Sequence, residues 1–335
     1  MLDYDFSAVE CVLYEPEGNV RRLLRDALNH LKLPKIQPFG HLDDVRACLQ
    51  TGSHDLLIAD AADPDSDIFK LITALRHNQL GGNPFLAVIV TTFRPTQLLL
   101  ARTTNSGADT LLVKPVAPKQ IRERITALIE TPRRFVVTSD FVGPDRRKNP
   151  RENSQIPLIE VPNTLRLKAL GMAVKTNVAA DIDTALAEVN AQKLIRQSFQ
   201  AMFLIEFAMP GLAAAPFDAM ALDHLWRVPA VMEDLMRRLP SGGEGSSGPT
   251  VEQCRALRDA VAALKERMGA APPPLAEFKA QALAIQRAIQ PARPADLLER
   301  EVCAAVATYR ARLEAMAQAK LAEADPGASN PQNAS

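Results

Sequence analysis

Short apolar runs alternate with amphipathic segments over the first 130 residues of the chain. Five of these runs have the length of a buried strand, and they cover residues 9–14, 35–38, 55–59, 86–91 and 110–113. Between the first two runs, residues 19–31 carry apolar side chains three or four positions apart, as on one face of a helix. Because strands and helices alternate in this way in βαβ units, the pattern predicts an α/β fold with a five-stranded parallel sheet.

The pattern changes after residue 130. Residues 131–162 hold several prolines and show no sustained period, so we expect a linker between two domains. Residues 131–151 carry six basic and two acidic side chains, a net charge of 6 − 2 = +4, in a chain whose 39 basic and 39 acidic residues balance. A short basic run of this kind is typical of solvated charge.

Nearly all of the sequence beyond Pro162 favours helix, because it is rich in Ala, Leu, Glu, Lys, Arg and Gln. The predicted helices cover residues 164–175, 180–207, 217–238 with a break near Pro229, 251–268, 275–289 and 295–323. Residues 163–323 are therefore expected to form an α-helical output or interaction region, with a flexible Gly/Ser linker at 241–249. Residues 324–335 are expected to be a disordered tail.

Composition argues against several classes of protein. The formal net charge of zero predicts no particular partner. The sequence lacks both an apolar stretch of about 18 to 20 residues and a basic, apolar leader, so we expect a cytoplasmic protein without a membrane span. The four cysteines form no CxxC pair and the five histidines form no HExxH motif, which argues against a zinc site or a metal hydrolase.

Chemically capable side chains follow four of the five predicted strands. Glu15 and Glu17 come after the first strand, and Asp60 comes after the third. Thr91 ends the fourth strand, and Lys114 follows the fifth. Because ligands of open α/β sheets bind at the carboxyl ends of the strands, we expect these acidic, hydroxyl and cationic groups to converge at one edge.

Three of these residues stand in motifs, HDLLIADAADPD with Asp60, AVIVTT with Thr91 and GADTLLVKP with Lys114. In order and spacing the motifs resemble the receiver domain of two-component response regulators, over residues 8–130. The resemblance implies a doubly wound, CheY-like sheet in which Asp60 is the phosphoacceptor, Thr91 supplies the switch hydroxyl and Lys114 holds the phosphoryl group. It also implies Mg²⁺ bound by Asp60 and acidic residues after the first strand, and no enzymatic activity beyond self-phosphorylation and autodephosphorylation at Asp60.

The sequence departs from the receiver pattern at several positions. Receivers usually carry two adjacent acids after the first strand, and here Glu15 takes the first position while Pro16 takes the second. The expected metal ligands are Glu15 and Asp60, with Glu17 replacing the missing acid only if the loop bends differently. Leu111 stands where receivers carry the aromatic switch residue, and Thr92 stands where a small residue is usual. We therefore expect an altered signalling route.

Three hypotheses follow for the function. The first is a response regulator, phosphorylated on Asp60 by a sensor histidine kinase or a phosphotransfer protein, that signals through protein contacts of the linker and helical region, homodimerisation being one form. The second is a pseudo-receiver, in which Pro16 abolishes metal binding and the domain is a phosphorylation-independent docking module. The third, ranked last, is nucleic-acid binding through residues 146–151, which lack aromatic interleaving and a helix-turn-helix pattern. The helical region resembles no known output domain, so the downstream partner is not predicted.

Overall fold

The computed structural model of the protein describes residues 4–147, 157–173, 177–213, 216–239, 248–266 and 273–324. The chain forms two compact units that divide between Gln192 and Lys193. Each unit is built around apolar cores of its own. Within the described residues, no helix is long and apolar enough to cross a membrane.

A five-stranded parallel sheet organises the first unit. Its strands are β1 (Glu10–Tyr14), β2 (Lys35–Phe39), β3 (Leu56–Asp60), β4 (Ala87–Thr92) and β5 (Thr110–Val113). The strand order is β2-β1-β3-β4-β5, which is the doubly wound order of flavodoxin and CheY. The predicted fold class is confirmed, and each predicted strand agrees with the observed one to within one residue at either end.

Helices cover both faces of this sheet. They are α1 (Gly18–His30), α2 (Leu42–Thr51), α3 (Ile68–Arg76), α4 (Gln97–Ser106) and α5 (Pro118–Glu130). Successive side chains of a strand point to opposite faces, so the central strand contributes to two cores. Ile58 packs with residues of α1 and α5, whereas Leu57 packs with residues of α2 and α3. The middle strands β3 and β4 are buried along their whole length.

The segment predicted as a linker contains a small antiparallel sheet instead. Its strands are β6 (Phe135–Val137), β7 (Val142–Pro144) and β8 (Leu158–Ile159), in the order β7-β6-β8. Phe135, Val142 and Ile159 share an apolar core with Phe85 of the parallel sheet unit. Burial of these side chains holds the segment in place, and strands of two or three residues beside prolines show no period that a sequence pattern could reveal.

The boundary of the first unit therefore differs from the predicted boundaries at 130 and 162. Helix α6 (Thr164–Ala169) contributes Leu165 to the core of the parallel sheet. The first turns of α7 (Val178–Gly211) contribute Ile182 to the core of the small sheet. The division between the units falls inside α7.

The second unit is helical. It contains the end of α7 and α8 (Ala219–Leu225), α9 (Val228–Arg238), α10 (Pro249–Glu266), α11 (Leu275–Ile289) and α12 (Ala295–Ala324). The predicted break near Pro229 falls between α8 and α9. His224 packs against the ring of Phe207, with 4.2 Å between ring centres. Most of the predicted flexible linker 241–249 and disordered tail 324–335, namely residues 241–247 and 325–335, lies outside the described residues, whereas Pro249 begins α10 and Ala324 ends α12.

Arg76 joins the small sheet to the parallel sheet. This arginine ends α3, is 1% exposed and lies under the ring of Phe135, 5.2 Å from its centre. Its guanidinium donates hydrogen bonds to the carbonyls of Pro84, Leu86 and Gly107 and to the carboxylate of Asp109, at 2.6 to 2.9 Å. Each of the three guanidinium nitrogens thus has a hydrogen-bond partner, as burial of this charge requires.

Replacing Arg76 with methionine is expected to lower the free energy of unfolding by about 3–5 kcal/mol, because Asp109 and three carbonyls lose their donor in a buried place. Urea unfolding followed by circular dichroism measures the change. Arg134→Met, at a side chain that is 58% exposed, is the matched control and should cost less than about 0.5 kcal/mol. Equal stability of the two variants would contradict this role of Arg76.

Candidate functional site

Three charged side chains meet where β1, β3 and β5 end. The Nζ atom of Lys114 lies 2.6 Å from Oε2 of Glu15 and 2.5 Å from Oδ1 of Asp60. Glu15, Asp60 and Lys114 are 1%, 8% and 5% exposed. The sheet therefore holds two carboxylates and one ammonium together, largely removed from water.

The register of the sheet produces this arrangement. Tyr14 pairs with Ala59, so the next residues of the two strands, Glu15 and Asp60, emerge at the same edge. In the same way, Thr92 pairs with Val113, and the following backbone N–H, that of Lys114, donates to the carbonyl of Thr92 at 2.7 Å. Because β3 lies in the centre of the sheet, Asp60 is flanked from both sides.

Thr91 is the register partner of Asp60 on the neighbouring strand. Its side chain is 1% exposed, and its hydroxyl has no hydrogen-bond partner within the described chain. A buried hydroxyl without a partner is unfavourable by about 1–3 kcal/mol and is uncommon in native structures. The hydroxyl is thus free to bind a group that reaches Asp60.

An aromatic side chain that no sequence pattern predicts lies over the ammonium of Lys114. The ring of Phe93 lies over Lys114, with 4.3 Å from Nζ to the ring centre, while Phe93 itself is 54% exposed. Such a cation–π contact is favourable by about 0.5–1 kcal/mol at an exposed position. In the sequence, Phe93 is marked only by its position two residues after Thr91, and the spacing of apolar residues does not distinguish it.

The pKa of Tyr14 reflects the electrostatics of the site. Burial, followed by the negative charges of Asp60 and Glu15, raises the pKa of the Tyr14 phenol. Both causes act against the phenolate, the first because it loses hydration and the second because like charges repel. The phenol accordingly stays neutral at physiological pH.

The loop after β1 turns Glu17 away from the other acids. Arg21 fixes this loop by donating from Nη1 to the carbonyls of Glu15, at 2.5 Å, and of Pro16, at 3.1 Å. Glu17 is exposed, and its backbone N–H donates to Oε1 of Glu15 at 3.2 Å. Glu17 therefore contributes to the cluster through its backbone N–H and not through its carboxylate.

These residues do not fit the divalent-cation site that the sequence resemblance implies. Both carboxylates of the cluster are paired with Lys114, and Pro16 stands where a second acid is expected. Among the residues that the structure describes, no group of three or more His, Cys, Asp and Glu side chains is arranged to hold a metal ion. Hard divalent cations such as Mg²⁺ need several oxygen ligands around one point.

The arrangement has the parts of a phosphoryl-acceptor site. A carboxylate can attack phosphorus, and a fixed ammonium and hydroxyl can stabilise negative charge on phosphoryl oxygens. The strand order that places these groups at one edge gives the first unit its fold. The N-terminal sheet has the CheY-like fold.

Comparison with solved structures finds receiver domains over the N-terminal third of the chain. The chemotaxis protein CheY4 of Vibrio cholerae is 19% identical, covering 36% of this chain and 98% of that chain, with a TM-score of 0.32. The response regulator DrrB of Thermotoga maritima is 16% identical, covering 36% of this chain and 52% of that chain, with a TM-score of 0.32. A receiver domain protein of Methanospirillum hungatei is 18% identical, covering 36% and 92%, with a TM-score of 0.32. No protein-family model and no curated protein matches the chain.

Replacing Lys114 with methionine is expected to destabilise the protein by about 3–5 kcal/mol at neutral pH, because two buried carboxylates lose their counter-ion. Adding Asp60→Asn should recover part of that loss, since one of the unpaired charges is then gone. Urea unfolding of the two single variants and the double variant measures the coupling. Lys119→Met, at a side chain 86% exposed, is the control, and additive effects of the two substitutions would contradict the pairing.

Proposed function

We propose that this protein is a response regulator that accepts a phosphoryl group on Asp60 and signals through protein contacts. The observation that carries the proposal is the position of Asp60, which has the ammonium of Lys114 on one side and the unpartnered hydroxyl of Thr91 on the adjacent strand. A carboxylate that only stabilised the fold would not need a neighbouring hydroxyl left without a partner.

The proposed step begins with a phosphohistidine on a sensor histidine kinase or a phosphotransfer protein. A carboxylate oxygen of Asp60 attacks phosphorus, the phosphorus–nitrogen bond breaks, and the departing imidazole keeps the electron pair and takes up a proton. The product is an acyl phosphate on Asp60. Water later attacks this phosphoryl group, which releases inorganic phosphate and regenerates the carboxylate.

Lys114 and Thr91 stabilise the charge that moves in this step. We propose that Lys114 stays paired with Glu15 and transfers its second contact from Asp60 to a phosphoryl oxygen. The Thr91 hydroxyl donates to another phosphoryl oxygen. Both groups are fixed by the sheet before the reaction, so little reorganisation accompanies the transfer.

The role of Mg²⁺ stays a prediction from the sequence resemblance. Because the side chains present do not fit a divalent cation, the step above is written without one. The cytoplasmic location and the identity of the kinase also stay predictions.

Protein contacts are the proposed output in preference to nucleic-acid binding. Arg146 is partly buried against α4, where it donates to Thr104, and Arg147 is paired with Asp145 at 2.9 Å. Arg146 and Arg147 therefore make contacts within the protein, whereas Lys148 and Arg151, the other basic residues of segment 146–151, lie outside the described residues. The helical second unit supplies the surface for a downstream partner or for a second copy of the chain.

A docking module without phosphorylation is the second candidate, and one observation favours it. Lys114 already pairs both carboxylates, and Pro16 removes one acid, so the cluster is closed by internal contacts. In that case the first unit would bind a partner protein through a surface that does not change with phosphorylation.

Incubation with acetyl phosphate separates the two candidates. Intact-mass measurement is expected to show a phosphoryl adduct on the wild type, its loss in Asp60→Asn, and its retention in the control Asp67→Asn, whose carboxylate is exposed. Parallel samples with Mg²⁺ or with EDTA decide whether a cation takes part. A folded wild type that acquires no adduct under either condition would reject the phosphoacceptor and leave the docking module.

Thr91→Val is expected to slow phosphoryl transfer by about 100-fold, because a fixed donor to the phosphoryl group is lost. Stability should be unchanged or higher, since the substitution removes a buried hydroxyl that has no partner. Initial labelling rates with acetyl phosphate and urea unfolding measure the two effects. Thr91→Ser keeps the hydroxyl and should label nearly as fast as the wild type, whereas equal rates for all three proteins would exclude a role for the hydroxyl.

A further inference from the structure

A thiol, an imidazole and a carboxamide meet beside the edge strand β2. Cys48 lies on α2, His54 lies in the connection from α2 to β3, and Gln37 lies on β2. The Sγ atom of Cys48 is 3.2 Å from Oε1 of Gln37 and 3.4 Å from Nε2 of His54. Nε2 of Gln37 is 3.4 Å from the same ring nitrogen. Three segments of the chain thus bring a sulfur, a nitrogen and an oxygen atom together, and the proposed function uses none of them.

The imidazole of His54 is held firmly. Its side chain is 2% exposed, and a Cβ on Gly52 would lie 2.5 Å from its Cε1 atom, so the backbone of Gly52 packs directly against the ring. The carbonyl of His54 accepts a hydrogen bond from Nδ2 of Asn83 at 3.0 Å. The next backbone N–H, that of Asp55, donates to the carbonyl of Glu10 at 3.0 Å. The ring is therefore in place before any ligand arrives, as a binding site requires.

The protein leaves this imidazole incompletely satisfied. Its Nδ1 atom is buried and has no hydrogen-bond partner within the described residues. Its Nε2 atom faces the thiol of Cys48 and the amide of Gln37, both of which are donors, so the lone pair of the ring points toward them. Burial lowers the pKa of His54, so the ring is neutral at physiological pH and this lone pair is available.

The thiol of Cys48 can be reached from solvent, because Cys48 is half-buried and Gln37 is exposed. Burial, followed by the negative charge of Glu10, raises the pKa of this thiol. A thiol that stays protonated is a poor nucleophile, which argues against a reactive cysteine. The charge of Glu10 favours a cation at the same place, and a metal ion removes the proton of a coordinating thiol outright.

The distances between the three atoms suit one small, borderline-soft cation. Zinc–sulfur and zinc–nitrogen bonds of about 2.3 and 2.0 Å at a tetrahedral angle place the two ligand atoms about 3.5 Å apart. The sulfur of Cys48 is 3.4 Å from the ring nitrogen of His54 and 3.2 Å from the amide oxygen of Gln37. Thiolate and imidazole favour zinc over magnesium or calcium, which prefer oxygen ligands.

We propose that Cys48, His54 and Gln37 bind a Zn²⁺ ion through Sγ, Nε2 and Oε1, with water as the fourth ligand. The sulfur–zinc bond forms as the thiol proton passes to solvent, so the thiolate and the nearby carboxylate of Glu10 balance the charge of the ion. Bound zinc would join α2 to the edge of the sheet and to the start of β3.

This zinc site is independent of the proposed function, because His54 precedes β3 whereas Asp60 ends it. It also agrees with the described residues holding no metal-binding group of three or more His, Cys, Asp and Glu side chains, since its third ligand is an amide. The sequence gave no sign of it, because the spacing of six residues between Cys48 and His54 matches neither a CxxC nor an HExxH motif.

The experiment titrates the reduced, metal-free, full-length protein with Zn²⁺ by isothermal titration calorimetry. A parallel titration with Co²⁺ follows the charge-transfer absorption that a thiolate–cobalt bond produces. The test variants are Cys48→Ser, Gln37→Leu and His54→Gln, and Cys48→Ser, at a half-buried position, decides the question if the buried His54→Gln fails to fold. The matched controls are Cys303→Ser, which removes an exposed thiol, and Asp60→Asn.

The wild type and both controls should bind one Zn²⁺ per chain and show the thiolate–cobalt absorption. Loss of a group that only orients a ligand weakens metal binding by about 10–100-fold, so loss of the ligand in Cys48→Ser or His54→Gln should weaken it by at least about 100-fold. Gln37→Leu should weaken it by about 10-fold. Zinc should raise the melting temperature of the wild type but not that of Cys48→Ser.

Three results would overturn the zinc site. One is a folded wild type that binds no zinc. Another is zinc binding that Cys48→Ser leaves unchanged, which would identify an adventitious ion only. The third is loss of the cobalt absorption in Cys303→Ser, which would place the ion at the other thiol. Failure of phosphorylation at Asp60 would reject the proposed function and leave the zinc site standing.

Discussion

The ammonium of Lys114 allows two carboxylates to remain almost without water at the edge of a sheet. Glu15 and Asp60 come from neighbouring strands and would repel each other if either lost that counter-ion. The register of β1, β3 and β5 is consequently tied to the charge arrangement, since a shift by one residue would turn a side chain to the opposite face. Under the proposed function, a phosphoryl group on Asp60 takes over one contact of Lys114 and supplies a partner for the Thr91 hydroxyl, which has none within the described residues.

Arg76 and Lys114 are both buried basic residues, but Arg76 stabilises the fold whereas Lys114 pairs the carboxylates of the candidate site. Arg76 is a guanidinium whose three nitrogens each donate to a fixed carbonyl or to the carboxylate of Asp109. Lys114 is an ammonium on a flexible stem with two carboxylate partners and an aromatic ring beside it. A compact ammonium can transfer a contact without disturbing a planar network, which suits a site where a ligand arrives and leaves.

Sequence patterns predicted the parallel sheet closely because buried strands are continuous apolar runs, and they brought Asp60 and Lys114 to one edge because parallel strands end together. The outward turn of Glu17 depends on Arg21, whose contacts with two carbonyls no local pattern encodes. The burial of Arg76 could not be predicted for a related reason, because an arginine in the last turn of a helix is usually a solvent-exposed charge. The small sheet was missed because its short strands gain their stability from Phe85 and α7, far away in the sequence.

The extent of the first unit determines where the parallel sheet can be separated from the rest of the chain. A fragment ending at residue 130 would keep every strand of the parallel sheet, yet it would leave Phe85 without the apolar side chains of β6 to β8 and Arg76 without the ring above it. During synthesis, the sheet therefore gains its last packing partners only after the start of α7 has emerged. The compact first unit is thus longer than the parallel sheet and its flanking helices, and it ends at Gln192.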